Sequence, residues 1–257
     1  MESYELEAII KSVFMPEQLW FTKILNHLFG GPVDALLRAL SITPKYPVAP
    51  ITNSFAMEVL VFLFLLILFF LVRARLSVEN PGGTQHFFEV VEGLIQNQSN
   101  EIIGHHSEGY TAFLATLAFF ILFCNLIGVI PGFESPTAVP IVPLGCALCA
   151  FVYYQYQGFK HAGFAYLKHF AGPMPALAPL MIPIELISHL ARVLSLTIRL
   201  FANMFAGDMV TLVFFSLVPL GVPIIFLGLH VGVSLLQTYI FVLLTTVYLQ
   251  GAVSDEH

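Results

Sequence analysis

Residues 184–218 read IELISHLARVLSLTIRLFANMFAGDMVTLVFFSLV, with no proline and a single glycine, Gly207. Nothing in that stretch ends a helix, because proline is the residue that removes a ladder hydrogen bond and clashes with the preceding turn. At about 1.5 Å per residue it predicts about 52 Å of helix, well beyond the roughly 30 Å of a bilayer's hydrocarbon core. Pro219-Leu220-Gly221-Val222-Pro223 then supplies a tight turn. Residues 224–253 are apolar again and predict about 45 Å more. The two helices form an antiparallel hairpin. Either each helix breaks, or both cross the bilayer steeply tilted.

The rest of the chain agrees with a membrane setting. Hydrophobic residues make up 58% of the 257 positions and charged residues 10%, against about 25% charged in ordinary soluble domains. Mean hydropathy is +0.86. Residues 55–72 form a spanning run interrupted only by Glu58, and 112–130 and 141–156 are further spans. Between them, Phe87, Val91, Leu94, Ile95 and Ile102 recur at helical spacing, while Glu89, Glu92, Gln96, Asn97 and Asn100 fall largely elsewhere. That amphipathic pattern suits a helix in the headgroup plane, or one that binds a partner. The expected fold is all-α and polytopic, with about five membrane helices and one interfacial amphipathic helix. Residues 1–50 are expected to form an extramembrane or interfacial segment, broken at Thr43-Pro44-Lys45-Tyr46-Pro47. A membrane domain over 51–257 follows, with helices at 55–74, 84–104 (the interfacial one), 110–130, 140–158, 176–218 and 222–252.

Loop charges set the orientation. Arg73, Arg75, Lys160 and Lys168 follow the first and third spans, whereas the loop 131–140 and the turn at 219–223 carry no Lys or Arg. Cationic loops stay cytoplasmic, so the N-terminal region lies outside and the tail 251–257 inside. Lys11, Lys23, Arg38 and Lys45 sit in a long outer segment, where the rule is weak. The acidic start, Met1-Glu2-Ser3-Tyr4-Glu5, is unlike a secretory signal peptide. Cys124, Cys146 and Cys149 lie in apolar spans and read as packing residues. Neither Cys146-x-x-Cys149 nor the interfacial pair His105 and His106 is assigned a metal.

Ionisable groups stand where they are expensive. An arginine at the bilayer centre costs about 2.5–3.5 kcal/mol on insertion scales. Glu185, Arg192 and Arg199 nevertheless recur at seven-residue intervals, with His189 four after Glu185 and Asn203 four after Arg199. These residues, with Ser188 and Ser195, project along one stripe, and Ala202 and Ala206 leave room for a close neighbour. Asp208 lies about 180° around the helix from Arg199 and about 13 Å along it. On the last helix His230, Ser234 and Gln237 share a face, Tyr248 follows, and Gly228 and Gly232 permit close helix approach. Counted from the turn, Asp208 meets His230 at similar depth, and Gln237 meets Arg199 or Asn203.

Two other function classes are weighed by the same residues. A secondary transporter would show internal repeats or interrupted helices around its substrate, and no repeat is evident. An intramembrane hydrolase needs a nucleophile and base, or metal ligands. No His-Glu-x-x-His and no Gly-x-Ser-x-Gly occurs here.

The run Ser195-Leu196-Thr197-Ile198-Arg199-Leu200-Phe201-Ala202-Asn203-Met204-Phe205-Ala206-Gly207-Asp208 resembles the signature around the essential arginine of the membrane-embedded a subunits of bacterial F-type ATP synthases. The closing stretch 236–249, the seven-residue spacing of His230 and Gln237, and Asn125-Leu126-Ile127-Gly128-Val129-Ile130-Pro131-Gly132 are similar to that family too. The resemblance implies a non-catalytic stator subunit of the Fo sector, with two half-channels carrying protons to and from a c-ring carboxylate. It implies that Arg199 faces the ring and that Asn203 and Gln237 orient it. Asp208, His230, Asn125 and Glu134 would serve the outer half-channel, Glu134 otherwise reading as a solvated loop residue. Glu185, Ser188, His189 and Arg192 would serve the inner one, with Arg192 alternatively a partner for Glu185 or a lipid headgroup. No cofactor or metal is implied. The implied partners are the c-subunit ring, the b-subunit peripheral stalk, other F1Fo subunits and the lipid bilayer, with no nucleic acid. The implied location is a bacterial inner membrane, with a cytoplasmic C-terminus. A sodium-carrying version of the same subunit stays open. The chain departs from the family pattern at Asp208, where many members carry Glu, at Gly128, where some carry a carboxylate, and at Ala202, where glycine is usual.

Overall fold

The computed structural model describes residues 18–40, 49–77, 82–104, 107–130, 132–163, 178–217 and 221–253. The expected break at 43–47, the pair His105 and His106, Lys11, Lys45, Lys168, the first residues of the turn and both chain ends lie outside them. Among the described residues seven α-helices follow one another: α1 (Trp20–Ala39), α2 (Asn53–Ala74), α3 (Gly83–Ile103), α4 (Glu108–Leu126), α5 (Ile141–Ala162), α6 (Ala178–Leu217) and α7 (Val222–Val253). Two short 3-10 turns, Ile127–Val129 and Pro136–Ala138, lie between α4 and α5. No strand occurs among the described residues. The fold is that of an all-helical polytopic membrane protein.

Among the described residues four helices are long and apolar enough to cross a membrane: α2, α4, α6 and α7. The expected span at 141–156 falls in α5, which is not one of them. Its second half brings Tyr153, Tyr154, Gln155, Tyr156, Gln157 and Lys160, which dilute an apolar start. α2 shows the lipid-facing pattern most openly. Thr52 caps its start by accepting the Phe55 amide at 3.4 Å, and Phe62, Leu63, Phe64, Leu66, Ile67 and Phe70 are all exposed.

α6 runs for 40 residues and α7 for 32, and neither breaks. Pro183 sits only in the second turn of α6. The pairing is antiparallel, because Asn203 meets Gln237 while Asp208, further along α6, meets His230, further back on α7. Gly221, at φ +84°, takes the left-handed conformation that glycine adopts without strain and opens the turn into α7.

α7 is the hub, packed against α3, α4, α5 and α6. Its core face carries Phe241, Val242 and Leu249, interleaved with Ser234, Gln237, Thr238, Thr245 and Thr246, all buried. The threonine hydroxyls bond back to carbonyls one turn earlier, Thr238 to Ser234, Thr245 to Phe241 and Thr246 to Val242, at 2.8–2.9 Å. A polar group without water must find a partner nearby, and this is the nearest one in a helix. The largest core joins α4, α5, α6 and α7 through residues such as Ile121, Ala147, Ala150, Leu200, Met204 and Phe241. Small residues on α5 let its backbone approach α6 closely.

At the expected outer side, α1 is tied down by side chains. Asn26 makes two hydrogen bonds with the backbone of Ile51, at 3.0 and 3.1 Å. Asn53 accepts from the Leu19 amide at 3.3 Å and donates to Glu134 at 3.1 Å. α1, the start of α2 and the loop after α4 are thereby held as one unit.

Candidate functional site

The inward stripe of α6 is Val193, Leu196, Leu200 and Met204, spaced by three and four, and packing this stripe fixes the helix's rotation. Arg199 is thereby placed half-buried at the edge of the packed face, beside exposed Ser195, Ile198 and Ala202. Its guanidinium donates to Ser195 Oγ at 3.3 Å. Among the described residues it makes no ion pair. The expectation that Asn203 and Gln237 bond Arg199 gives way to a different arrangement. Asn203 Nδ2 donates to Gln237 Oε1 at 2.8 Å, so the two amides tie α6 to α7 just beyond the arginine. Gln237 is 1% exposed, and its Nε2 has no acceptor among the described residues.

Two turns further along, Asp208 Oδ1 lies 3.6 Å from His230 Nδ1. The histidine side chain is 3% exposed and the aspartate 28%. Gly207 makes that approach possible, since a Cβ there would stand 2.8 Å from His230 Nδ1. Asp208 and His230 share a cleft of about 700 Å³ with Glu134, Ser54, Ser135, Thr211 and Ser216, together with apolar residues such as Phe205 and Leu227. Glu134 is exposed within it and held by Asn53. The cleft lies on the opposite side of α6 from Arg199.

Asn125 is fully buried behind the cleft rather than on its wall. It accepts from Thr137 Oγ1 at 2.7 Å, and its amide reaches Ser234 O and Thr238 Oγ1, each at 3.5 Å. Ser135 bonds Thr137 at 2.8 Å and the Cys124 carbonyl at 3.0 Å. This network pins the loop after α4 against α7. Gly128 is part of the same fit, because a Cβ there would meet Ser135 Cβ at 2.8 Å. The position leaves no room for a side chain unless the loop moves, and Glu134 is the carboxylate nearby in sequence that reaches the cleft.

Towards the other end of α6, Glu185 Oε1 lies 3.4 Å from His189 Nε2. His189 Nδ1 lies 3.0 Å from the hydroxyl of buried Tyr154 on α5. Arg192 sits 5.2 Å from the ring centroid of Tyr248, within cation–π range. Ser188 is half-buried on the same helix. Tyr154, Asn53, Ser135 and Thr137 were not found from the sequence. Tyr154 did leave a signal, falling in step with Cys146, Ala147 and Ala150 on the inward face of α5.

The whole arrangement is two polar groups of residues gathered along α6, separated by an arginine that makes no ion pair among the described residues. The family described as ATP synthase A chain matches residues 55–250, which take in every residue of both groups except Asn53 and Ser54. The chain belongs to the ATP synthase A chain family. It is 54% identical to the ATP synthase subunit a of Koribacter versatilis over 244 residues, covering 95% of this chain and 100% of that protein. It is also 54% identical to that of Solibacter usitatus, over 91% of this chain and 100% of the relative. Against the subunit a of Geotalea uraniireducens the identity is 41%, over 78% of this chain and 89% of that protein. Within the ATP synthase A chain family this member thus combines Asp208, a glycine at 128 and a cleft-lining Glu134.

Proposed function

We infer that this chain is the stator subunit a of a bacterial ATP synthase, a multi-pass subunit of the inner membrane that carries protons to and from the c-ring. The observation that carries the reading is Arg199. A guanidinium on an apolar helix, making no ion pair within the described chain, calls for a carboxylate from outside it. The exposed neighbours Ile198, Ala202 and Ala206 suit a close helical partner.

The chemistry follows from placement. A ring carboxylate passing Arg199 is favoured in its charged form and must release its proton there. The same fixed cation repels a proton attempting to cross directly between the two polar groups. Asp208 and His230, with Glu134 in the cleft and Asn125 holding the wall, serve the outer half-channel. Glu185, Ser188, His189 and Arg192 serve the inner one. Each proton that descends the potential delivers about 2.3 kcal/mol per 100 mV as rotation. Bond chemistry on ATP belongs to other F1Fo subunits, and this chain is non-catalytic and needs no cofactor. The exposed apolar face of α3, with Phe87, Val90 and Leu94, is placed at the inner interface, where the b-subunit stalk and lipid headgroups are the neighbours. The C-terminus is then cytoplasmic and α1 lies outside.

The ion is tested in inverted vesicles carrying the assembled complex. ATP-driven acidification is expected to be complete in sodium-free buffer and to collapse with a protonophore. A requirement for millimolar sodium would replace protons by sodium in this reading. Glu134→Gln keeps a side chain of the same size beside Asn53 and removes the charge. Proton pumping is expected to fall by about threefold to tenfold, less than the factor for a group that itself transfers the proton. Unchanged pumping would return Glu134 to the status of a solvated loop residue.

A further inference from the structure

Tyr154 is 2% exposed and sits among Leu249, Val253 and Ile103. Its ring stacks on the His189 imidazole, with centroids 5.9 Å apart and planes at 24°. It also meets Tyr248 at 6.2 Å, and Tyr248 in turn carries Arg192 over its face. The phenol is thus held from α6 and α7 together, and its hydroxyl points at His189 Nδ1 at 3.0 Å. The other imidazole nitrogen faces Glu185, whose side chain is 39% exposed while that of His189 is 8% exposed.

One ring therefore bridges a buried phenol and a partly exposed carboxylate. A neutral imidazole offers one N–H and one bare nitrogen. A carboxylate only accepts, whereas a phenol donates readily. The arrangement is satisfied when Tyr154 donates to Nδ1 and Nε2–H is directed at Glu185. The opposite tautomer would aim a lone pair at the carboxylate. The hydrogen bond on one ring nitrogen sets what the other presents.

We propose that Tyr154 is a positioning residue of the inner half-channel, holding His189 as the Nε2–H tautomer so that it fixes the Glu185 carboxylate in one orientation for proton exchange. This rests on the reading of Glu185 as an inner-channel group. Tyr154 does not itself carry the proton. It determines which way the imidazole is read.

The test uses the assembled complex in lipid vesicles with 15N-labelled histidine. Solid-state NMR identifies the His189 signals by difference from His189→Asn. The wild type is expected to show a protonated Nε2 and a bare, hydrogen-bonded Nδ1. In Tyr154→Phe the tautomers mix, and pumping per assembled complex falls about fivefold, the factor carried by one hydrogen bond. In a His189→Asn background the same change adds no further loss, because a residue acting through another loses its effect when that other is gone. A wild-type ring protonated on Nδ1, or on both nitrogens, overturns the assignment. So does Tyr154→Phe with an unchanged tautomer and full pumping. If Tyr154→Phe does not assemble, the wild-type spectrum alone decides. None of these results touches Arg199, so failure here is distinct from failure of the proton-carrying reading.

Discussion

With Arg199 replaced by alanine, ATP-driven proton pumping and ΔpH-driven ATP synthesis are both expected to fall by about 100-fold or more, the scale of removing one preorganised charge from a low-dielectric site. Assembly should survive. Within its own chain the guanidinium bonds only to Ser195, one turn back on α6, among the described residues. The helix is held instead by Val193, Leu196, Leu200 and Met204, which face the core while Arg199 stands at the edge of that face. Alanine is the best helix former, so α6 itself is not weakened. What disappears is the cation beside the passing ring carboxylate. Without it the carboxylate loses its reason to ionise at that position, and the barrier between the two polar groups goes too. Arg199→Lys keeps the charge without the planar fork and should recover only part of the activity. The measurement is pumping and synthesis per assembled complex, with passive proton leak recorded alongside. Coupled transport at near-normal rates in the alanine variant would make Arg199 a structural residue and remove the basis of the proposed mechanism.

The hairpin was legible because two rules act on it at once. The absence of proline between 184 and 218 predicts an unbroken helix, and the 3.6-residue period places each polar group on a known face. Counting back from the turn brings Asp208 level with His230, and the structure has them 3.6 Å apart. The same counting left Gln237 between Arg199 and Asn203, and the structure chooses Asn203. Helical spacing gives depth and face, but not which of two neighbours on one stripe a flexible side chain selects. Small residues were read less well. Gly228 and Gly232 predicted a close helix approach, yet a Cβ at either meets nothing within 4 Å. The tight contact belongs to Gly207, which carries the His230 ring. A period of four marks small faces without saying which neighbour uses them. Tyr154 shows the remaining limit. Its inward phase on α5 was readable, but its partner sits on another helix, and no local rule connects positions 154 and 189.

Gly207→Ala, a change of one methyl group, is expected to lower pumping by at least about tenfold, because displacing a reacting group by about 1 Å can cost up to about 100-fold. The added Cβ would stand 2.8 Å from His230 Nδ1 and 3.3 Å from Cε1, inside contact distance. His230 is 4% exposed and borders the cleft, so a ring pushed off Gly207 moves relative to Asp208. The contact that yields is the 3.6 Å approach to Asp208. Helix propensity would predict the reverse, since alanine stabilises a helix interior by up to about 1 kcal/mol over glycine. In stability the two effects oppose each other, since overpacking a buried site costs about 1–3 kcal/mol, so the diagnostic result is a fall in proton transfer out of proportion to any change in thermal stability. Asp208→Ala removes the carboxylate itself and should cost about 100-fold, within the range for losing a proton-transfer group. In a His230→Ala background Gly207→Ala should add no further loss, since the clash has gone. Near-normal pumping in Gly207→Ala would mean that the Asp208–His230 approach is not what carries the outer proton, and would move that role to Glu134 and the rest of the cleft.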